Sequence, residues 1–285
     1  MKVSLTLQKE IDIPIEVDSI TPTNFANKDT KEIGKLPVHQ GNQVLNLADF
    51  FHIKGTSGKT PNETKITIHG HLKQVKMIGK KMNGGKITIE GDVGWYLGAE
   101  MIAGRIHVKG SVGPWAAAQM QGGNIQIEGD AGDYLCGGYR GSKEGMNGGR
   151  VYVAGNVGRE MAAHMRKGFI AVRGSVGHHA ANRMQGGSII VIGNVAERIG
   201  IEATRGMIFV LGKITSLLPT FRFSGDSQRE FANYYLRYLK DRRPDFLDTI
   251  PIQSKWLKFM GDFAEGQPEL EVYALSTKNS HLFKR

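Results

Sequence analysis

The chain has 285 residues, of which 40% are hydrophobic, and its formal net charge is +10 at pH 7. This length and composition are sufficient for a sizeable hydrophobic core, and no apolar run reaches the roughly 18 residues of a membrane-spanning helix. The basic excess favours anionic partners. Because no run of Lys and Arg exceeds three residues, we expect neither a nucleic-acid partner nor a membrane partner.

Cysteine usage and the first residues of the chain bear on its compartment. A single cysteine, Cys136, excludes an internal disulfide and a cysteine-ligated iron–sulfur cluster. The first ten residues, MKVSLTLQKE, lack the apolar segment of a secretion signal. We therefore expect a cytoplasmic protein.

Residues 1–64 contain no repeat. The stretches VSLTL at 3–7 and IDIPIEV at 11–17 alternate between apolar and polar residues, which is typical of strands. We expect these 64 residues to form a β-rich N-terminal cap. Such a cap would cover strand edges that are otherwise unpaired at the end of a repeat array.

Residues 65–213 repeat one pattern, an alternating strand followed by glycine. Ile87 and Ile89 show the alternation in one repeat, as expected for a short strand with one buried face. Most repeats are 19 residues long, too short for a strand plus a crossover helix, which needs roughly 30. Each repeat is predicted to close on itself as one coil of an all-β solenoid, with about seven coils stacked about 4.8 Å apart. The repeats begin at Lys65, Lys86, Arg105, Asn124, Arg150, Phe169, Ser188 and Met207.

Glycines and methionines recur at fixed positions of the repeats. We expect the glycines to occupy corners that require a positive φ or a close backbone approach. We expect the methionines to fill the irregular interior with flexible thioethers, because a metal or haem site is a less common use of such a stripe. The methionines are Met82, Met101, Met120, Met146, Met165 and Met184, and each lies three residues before the last residue of its repeat.

Residues 214–285 are predicted to form a C-terminal cap with one helix and a final strand. The stretch SQREFANYYLRYLKDRRP places apolar residues on one stripe and ends at Pro244, so we expect a helix over about 227–243. The alternating stretch ELEVYAL at 269–275 predicts the final strand.

Two late strands carry apolar residues where early strands carry polar ones. Ile190 and Phe209 stand at positions equivalent to Thr88 and His107 of early repeats. An apolar patch of this kind is not expected to face water. Either the predicted helix covers it, or another protein does; in the second case Ile190 and Phe209 are partner contacts.

Three stretches suggest chemistry that their spacing does not support. GTSGKT at 55–60 resembles a phosphate-binding loop, but that motif requires glycine where Ile53 stands. His178 and His179 are adjacent, so on a strand they would point to opposite faces. We therefore expect no nucleotide site, no metal site and no cofactor in this chain.

Glycan chemistry on a β-solenoid would need clustered carboxylates. Asp92 and Asp130 occupy one position of the repeat but lie two repeats apart, with Ser111 between them. At about 10 Å they are better explained as a polar corner column. A stand-alone glycan-active enzyme remains an alternative of another class.

The repeat that begins at Asn124 has seven extra residues and is predicted to bulge outward. Loops on rigid scaffolds commonly carry contacts, although a solvated loop is also compatible with the sequence. Two tryptophans near one corner of neighbouring repeats are either an interface anchor or partly buried beneath the N-terminal cap. The candidate partner or carrier contacts are Tyr139, Arg140, Lys143 and Glu144 of the insertion, together with Trp95, Trp115, Ile190 and Phe209.

The repeats resemble a known family. The series GDVGWYLGAEM, GDAGDYLCGGYRGSKEGMNGG and GNVGREMA, with LPTF at 218–221, is similar to the C-subunit of the formylmethanofuran dehydrogenase family. The inserted segment from Tyr139 to Gly149 is its most specific element, since simple glycine repeats also occur in the C-terminal β-helix of glutamate synthase. The resemblance implies a right-handed parallel β-helix that acts as a scaffold without catalytic residues of its own.

The resemblance also implies partners and a reaction for the complex. In bacterial members, the complex converts formyl-tetrahydromethanopterin via a methanofuran-type carrier to formate, and formyltransferase and amidohydrolase-like subunits carry the chemistry. In archaeal members, sister subunits hold molybdenum or tungsten and iron–sulfur clusters. The segment LLPTF and the helical tail favour the bacterial type, and the archaeal type is the alternative.

Overall fold

A computed structural model describes residues 1–227, 229–248 and 254–283. Within these ranges the chain is mostly strand, and the strands form one 13-stranded, largely parallel sheet and one 4-stranded sheet. The prediction of an all-β protein is confirmed. None of the helices in the described ranges has the length and hydropathy needed to span a membrane.

The strands and α-helices are numbered in chain order. The strands are β1 (Lys2–Leu7), β2 (Ile15–Glu16), β3 (Pro37–Gln40), β4 (Gln43–Asn46), β5 (Phe51–Gly55), β6 (Lys65–His69), β7 (Val75–Lys76), β8 (Asn83–Ile89), β9 (Ala103–Val108), β10 (Asn124–Ile127), β11 (Asn147–Val153), β12 (Lys167–Val172), β13 (Gln185–Val191), β14 (Arg205–Val210), β15 (Arg222–Ser227), β16 (Trp256–Gly261) and β17 (Glu269–Leu275). The helices are α1 (Pro22–Phe25), α2 (Thr30–Gly34), α3 (Arg229–Arg242) and α4 (Ser276–Asn279).

The first strand of each repeat pairs in parallel with the first strand of the next. The order β6, β8, β9, β10, β11, β12, β13, β14 follows the chain, and the alternating aliphatic residues stand directly opposite one another. One such column runs through the main core, where each member is at most 1% exposed. Its members are Ile66, Ile87, Ile106, Ile125, Val151, Ile170, Ile189 and Ile208.

A second parallel ladder joins the same repeats a few residues further along. Single bridges link Val93 to Val112 and Val112 to Ala131, and the series continues to Ile214. Each repeat therefore contacts the next at two separate lines of backbone hydrogen bonds. The aliphatic side chains of both lines belong to one core cluster.

The segment after the second ladder has an unusual backbone. Tyr96, Gly98 and Glu100 have φ values of 62°, 60° and 56°, and equivalent positions of other repeats are also left-handed. A left-handed residue other than glycine costs roughly 1–2 kcal/mol. Hydrogen bonds to the next repeat offset this cost: Tyr96 N–H donates to the Pro114 carbonyl at 3.0 Å, and Glu100 N–H donates to the Ala118 carbonyl at 2.7 Å.

The methionines lie in the main core, as predicted. All six repeat-end methionines are 0% exposed. Each side chain reaches the glycine that closes the next repeat. The stripe therefore serves to pack the interior.

Both ends of the parallel array are extended by strands from outside the repeats. At one end β1 pairs in parallel with β6, and β5 pairs antiparallel with β1. At the other end β17 pairs in parallel with β14, and β16 and β15 follow as antiparallel neighbours. These additions cover backbone groups that the terminal repeats would leave unpaired.

Helix α3 lies over the outward face of the late strands. Ile190 and Phe209 are both 0% exposed and pack in a second cluster with Leu236 and Leu239 of the helix. The patch is therefore covered by the chain itself. The hypothesis that Ile190 and Phe209 contact a partner is wrong, because the helix occupies that position.

Candidate functional site

The left-handed segments place a row of aromatic rings on one side of the array. Tyr96, Trp115 and Tyr134 occupy the same position of three successive repeats, so their side chains project in the same direction. Trp115 and Tyr134 stack with ring centroids 4.5 Å apart and planes inclined by 5°. Tyr96 and Trp115 stack at 5.6 Å and 22°. Stacked aromatic pairs stabilise beyond their buried area, so this row reinforces the register of the repeats.

The two tryptophans of the predicted contact set have different environments. Trp115 is 6% exposed among its aromatic neighbours, whereas Trp95 is 42% exposed. Their ring centroids are 5.7 Å apart. Of the two tryptophans, Trp95 therefore provides the accessible aromatic surface, and the buried Trp115 packs against it.

The inserted loop folds back over the aromatic row. The Tyr139 ring lies 5.8 Å from Tyr96, and its hydroxyl donates a hydrogen bond of 2.9 Å to Glu100. Burial, and then this bond to Glu100, raise the pKa of Tyr139. The Arg140 guanidinium lies 5.7 Å from the Trp115 ring centroid, within the range of a cation–π contact.

The other end of the loop is held by polar contacts. Gln119 Nε2 donates to Ser142 Oγ at 2.7 Å and to the Glu144 carbonyl at 2.9 Å. The Glu144 carboxylate forms an ion pair of 2.9 Å with Arg166. Lys143, between these contacts in the chain, is exposed. The loop is thus attached to the repeats at several points.

A cavity of about 560 Å³ adjoins the loop. Lys143, His164, Arg183 and Glu202 line it, and Arg183 Nε donates to Glu202 at 2.7 Å. His164 Nδ1 is buried, with no hydrogen-bond partner in the described part of the chain. Burial, and next the nearby Arg183, lower the pKa of His164. The cavity carries both signs of charge and can accept a polar group.

The two carboxylates considered for glycan chemistry have structural roles, and the single cysteine is buried. Asp92 Oδ1 accepts the Ser111 N–H at 2.8 Å, and Asp130 Oδ1 accepts the Asn156 N–H at 2.6 Å, so both carboxylates join successive repeats. Burial raises the pKa of the Cys136 thiol. Within residues 1–227, 229–248 and 254–283, no group of three or more His, Cys, Asp and Glu could hold a metal ion.

Comparison with known proteins gives a consistent relationship. The chain is 45% identical over 96 residues to the C-subunit of the molybdenum-containing formylmethanofuran dehydrogenase 1 of Methanosarcina barkeri. It is 38% identical over 98 residues to the C-subunit of the tungsten-containing formylmethanofuran dehydrogenase 2 of Methanothermobacter wolfeii. The chain is similar to the C-subunit of formylmethanofuran dehydrogenases. The resemblance inferred from the glycine motifs is confirmed.

These two matches each cover 34% of this chain, and 32% and 36% of the relatives. The chain thus spans about a third of the length of the curated relatives it matches. No family model matches the chain.

A solved structure extends the likeness to nearly the whole chain. One chain in the crystal structure of the formyltransferase/hydrolase complex (FhcABCD) from Methylorubrum extorquens in complex with methylofuran superposes with a TM-score of 0.84 and is 28% identical. The superposition covers 95% of this chain and 99% of that chain. That chain, like the curated relatives, is a subunit of a multi-subunit complex.

Sequence reasoning missed part of the aromatic cluster. It singled out Trp95, Trp115 and Tyr139, but Tyr96 and Tyr134 complete the row. The sequence did contain a signal for these two residues, because Tyr96, Trp115 and Tyr134 are successively 19 residues apart. Nothing in the sequence indicated that Glu100 would be the hydrogen-bond partner of Tyr139, since the two residues are 39 positions apart.

Proposed function

We propose that this chain is a non-catalytic scaffold subunit of a one-carbon complex that converts formyl-tetrahydromethanopterin via a methanofuran-type carrier to formate. The observation that carries the proposal is the likeness to a chain of the FhcABCD complex over 95% of this chain and 99% of the other. That complex was solved with methylofuran. In our proposal the carrier belongs to the complex, and this chain holds no cofactor of its own.

The proposed architecture is a right-handed parallel β-helix. Two parallel ladders that join the same successive repeats support it, and so does the strong preference for right-handed crossovers between parallel strands. Residues 65–213 form the β-helix domain in this proposal. Residues 1–64 form the N-terminal cap, and residues 214–285 form the C-terminal cap.

The proposed partners are the formyltransferase and amidohydrolase-like subunits of a cytoplasmic complex. Trp95 and the inserted loop form the proposed contact surface, hereafter the Trp95–Glu144 surface: Trp95, Tyr139, Arg140, Lys143 and Glu144. An exposed tryptophan supported by buried aromatics is typical of interface anchors. The attachment of the loop to Glu100, Gln119 and Arg166 supports the proposal, because a preordered surface loses little entropy on binding.

A second candidate function is supported by the archaeal relatives. The molybdenum-containing relative of Methanosarcina barkeri shares 45% identity over 96 residues, and it belongs to a formylmethanofuran dehydrogenase. The two candidates differ in the metals of the sister subunits. A glycan-active enzyme is not proposed, since Asp92 and Asp130 are occupied by backbone N–H groups.

Co-purification of the affinity-tagged chain with the products of co-expressed formyltransferase and amidohydrolase-like genes tests the proposal. We expect a stable complex with formyltransferase/hydrolase activity that the isolated chain lacks. Elemental analysis separates the two candidates, because molybdenum or tungsten in the complex would identify the redox type. A chain that remains a monomer in the presence of these subunits would contradict both.

A further inference from the structure

Basic residues line up across the exposed face of the main sheet. The parallel register places them directly opposite one another on successive strands, which lie about 4.8 Å apart. Like charges in directly opposite positions destabilise a sheet. Within the described part of the chain, none of the basic members forms an ion pair with a carboxylate, and Lys2 acts on Glu90 only at longer range, where it helps to lower the pKa of that carboxyl. The column, hereafter the basic column, consists of Lys2, Lys65, Lys86, Arg105, Asn124 and Arg150.

The same sheet pairs its charges elsewhere. Four positions further along the strands, Lys109 Nζ lies 2.6 Å from Glu90 Oε2. Glu128 is shared between His107 at 3.0 Å and Arg243 at 3.0 Å. The carboxylates of Glu90 and Glu128 are therefore already engaged in ion pairs. The absence of acidic partners is a property of this column and not of the whole face.

The basic column meets helix α3 at a cavity of about 370 Å³. Lys86, Arg105 and Arg150 line it from the sheet, and Arg242 lines it from the last turn of the helix. Arg242 donates to the Tyr238 carbonyl at 3.2 Å and lies 3.7 Å from the Tyr238 ring, so its contacts in the described part of the chain include no carboxylate. No Asp or Glu of the described residues lines the cavity. Four cations thus converge on one small space.

Tyr152 provides a second, independent observation that points to a ligand. It lines the same cavity and is 1% exposed, and its hydroxyl has no hydrogen-bond partner among the described residues. Burial raises the pKa of Tyr152, so the hydroxyl stays protonated and can donate. A buried donor without an acceptor is unfavourable. An oxyanion that displaces the side chains covering this hydroxyl would supply that acceptor.

We propose that this cavity binds a compact oxyanion with at least two negative charges, held by Lys86, Arg105, Arg150 and Arg242 with the Tyr152 hydroxyl as a further donor. Phosphate groups and clustered carboxylates share the required chemistry, because both accept several charge-assisted hydrogen bonds. The bound anion joins the basic column to the end of α3 and thereby fixes the helix on the sheet. This proposal is independent of the formyl-transfer function.

Isothermal titration calorimetry on the full-length chain, at constant ionic strength and pH 7.5, tests the proposal with pyrophosphate and with citrate as probes. We expect one saturable site for at least one probe. A preference for pyrophosphate identifies a phosphate site, and a preference for citrate identifies a carboxylate site. The variant Arg105→Gln should bind at least tenfold more weakly. If neither probe binds saturably, the proposal is wrong.

Arg205→Gln is the matched control, since Arg205 is an exposed arginine of the same sheet that pairs with Glu269 at 3.3 Å. It removes the same charge outside the cavity and should change affinity by less than twofold. An equal loss of affinity in Arg205→Gln and Arg105→Gln would show that only the net charge of the protein matters, and it would contradict the proposed site.

Tyr152→Phe separates ligand binding from folding. Without anion, the variant should unfold at a temperature no lower than the parent, because the lost hydroxyl has no partner among the described residues. With anion, its affinity should fall about threefold to tenfold. Unchanged affinity would exclude the hydroxyl as a ligand, and a lower unfolding temperature without anion would show a structural role instead.

Discussion

The methyl group of Met184 fills the space beside Gly206 that a side chain at that position would need. A Cβ on Gly206 would lie 2.6 Å from Met184 Cε, and Gly206 has a φ of +136°. The closing glycine of one repeat thus makes room for the methionine of the repeat before it. The same relationship holds for Met82 and Gly104, Met101 and Gly123, Met120 and Gly149, Met146 and Gly168, and Met165 and Gly187.

This packing predicts energetic coupling between Met184 and Gly206. Met184→Ala should lower the free energy of unfolding by roughly 2–5 kcal/mol, because it leaves a cavity in the core. Gly206→Ala should cost about 1–3 kcal/mol through overpacking, but less in the Met184→Ala background, where the clashing methyl is gone. A double-mutant cycle by urea denaturation should give a coupling of about 1 kcal/mol or more. Gly266→Ala is the control, since Gly266 also has a positive φ (+95°) but no atom within 4 Å of its Cβ position. Additive costs would contradict the coupling.

The exposed tryptophan of the Trp95–Glu144 surface predicts a selective loss of binding. Trp95→Ala should weaken association with the proposed partner subunits at least tenfold, which is about 1.4 kcal/mol, because exposed aromatic anchors dominate interface energies. Surface plasmon resonance with the purified partners measures this. Tyr234→Ala is the control, since Tyr234 is also a large exposed aromatic, at 66%, on helix α3. If both variants bind alike, the Trp95–Glu144 surface is not the interface.

The bond between Tyr139 and Glu100 predicts a stability effect in the inserted loop. Tyr139→Phe removes a hydrogen bond of 2.9 Å and should lower the free energy of unfolding by about 1.5–3 kcal/mol, the range for a bond to a charged acceptor. Thermal and chemical denaturation measure the change. Tyr234→Phe, which alters an exposed hydroxyl, should have no effect. A loss no larger than that of Tyr234→Phe would show that the loop is not held by this bond.

His164 predicts a pH dependence of stability. Burial, and next Arg183, lower the pKa of His164 from 6.5, so the unfolded chain binds the proton more readily than the folded chain does. The contribution of neutral His164 is therefore present above pH 6.5 and is lost as the pH falls through 6.5 and then through the lower folded value. His164→Gln should flatten the fall in stability between about pH 7 and pH 5. An unchanged slope in the variant would assign the pH dependence to other groups.

Local patterns in the sequence determined much of the fold. Period-two alternation identifies the buried face of each strand, and a constant interval of 19 residues predicts which residues stack, because identical repeats pair best in register. The aliphatic columns and the buried methionines follow from these two regularities alone. The glycine at the end of each repeat was predicted as a corner, but its role in receiving a methionine methyl group depends on the neighbouring repeat.

Tertiary structure decided three further features: the burial of Ile190 and Phe209, the left-handed backbone at Tyr96, and the cavity shared by Arg150 and Arg242. Each of them depends on contacts between residues far apart in the chain. Ile190 and Phe209 were equally compatible with a helix or a partner, and only the path of α3 removed them from the surface. The left-handed backbone at Tyr96 is invisible in the sequence, since neighbouring repeats supply the hydrogen bonds that stabilise it. Likewise, the distance in sequence between Arg150 and Arg242 hides the cavity they share. The repeat pattern determines which side chains each repeat buries. Packing of neighbouring repeats, and of the segments outside them, determines which side chains remain on the surface.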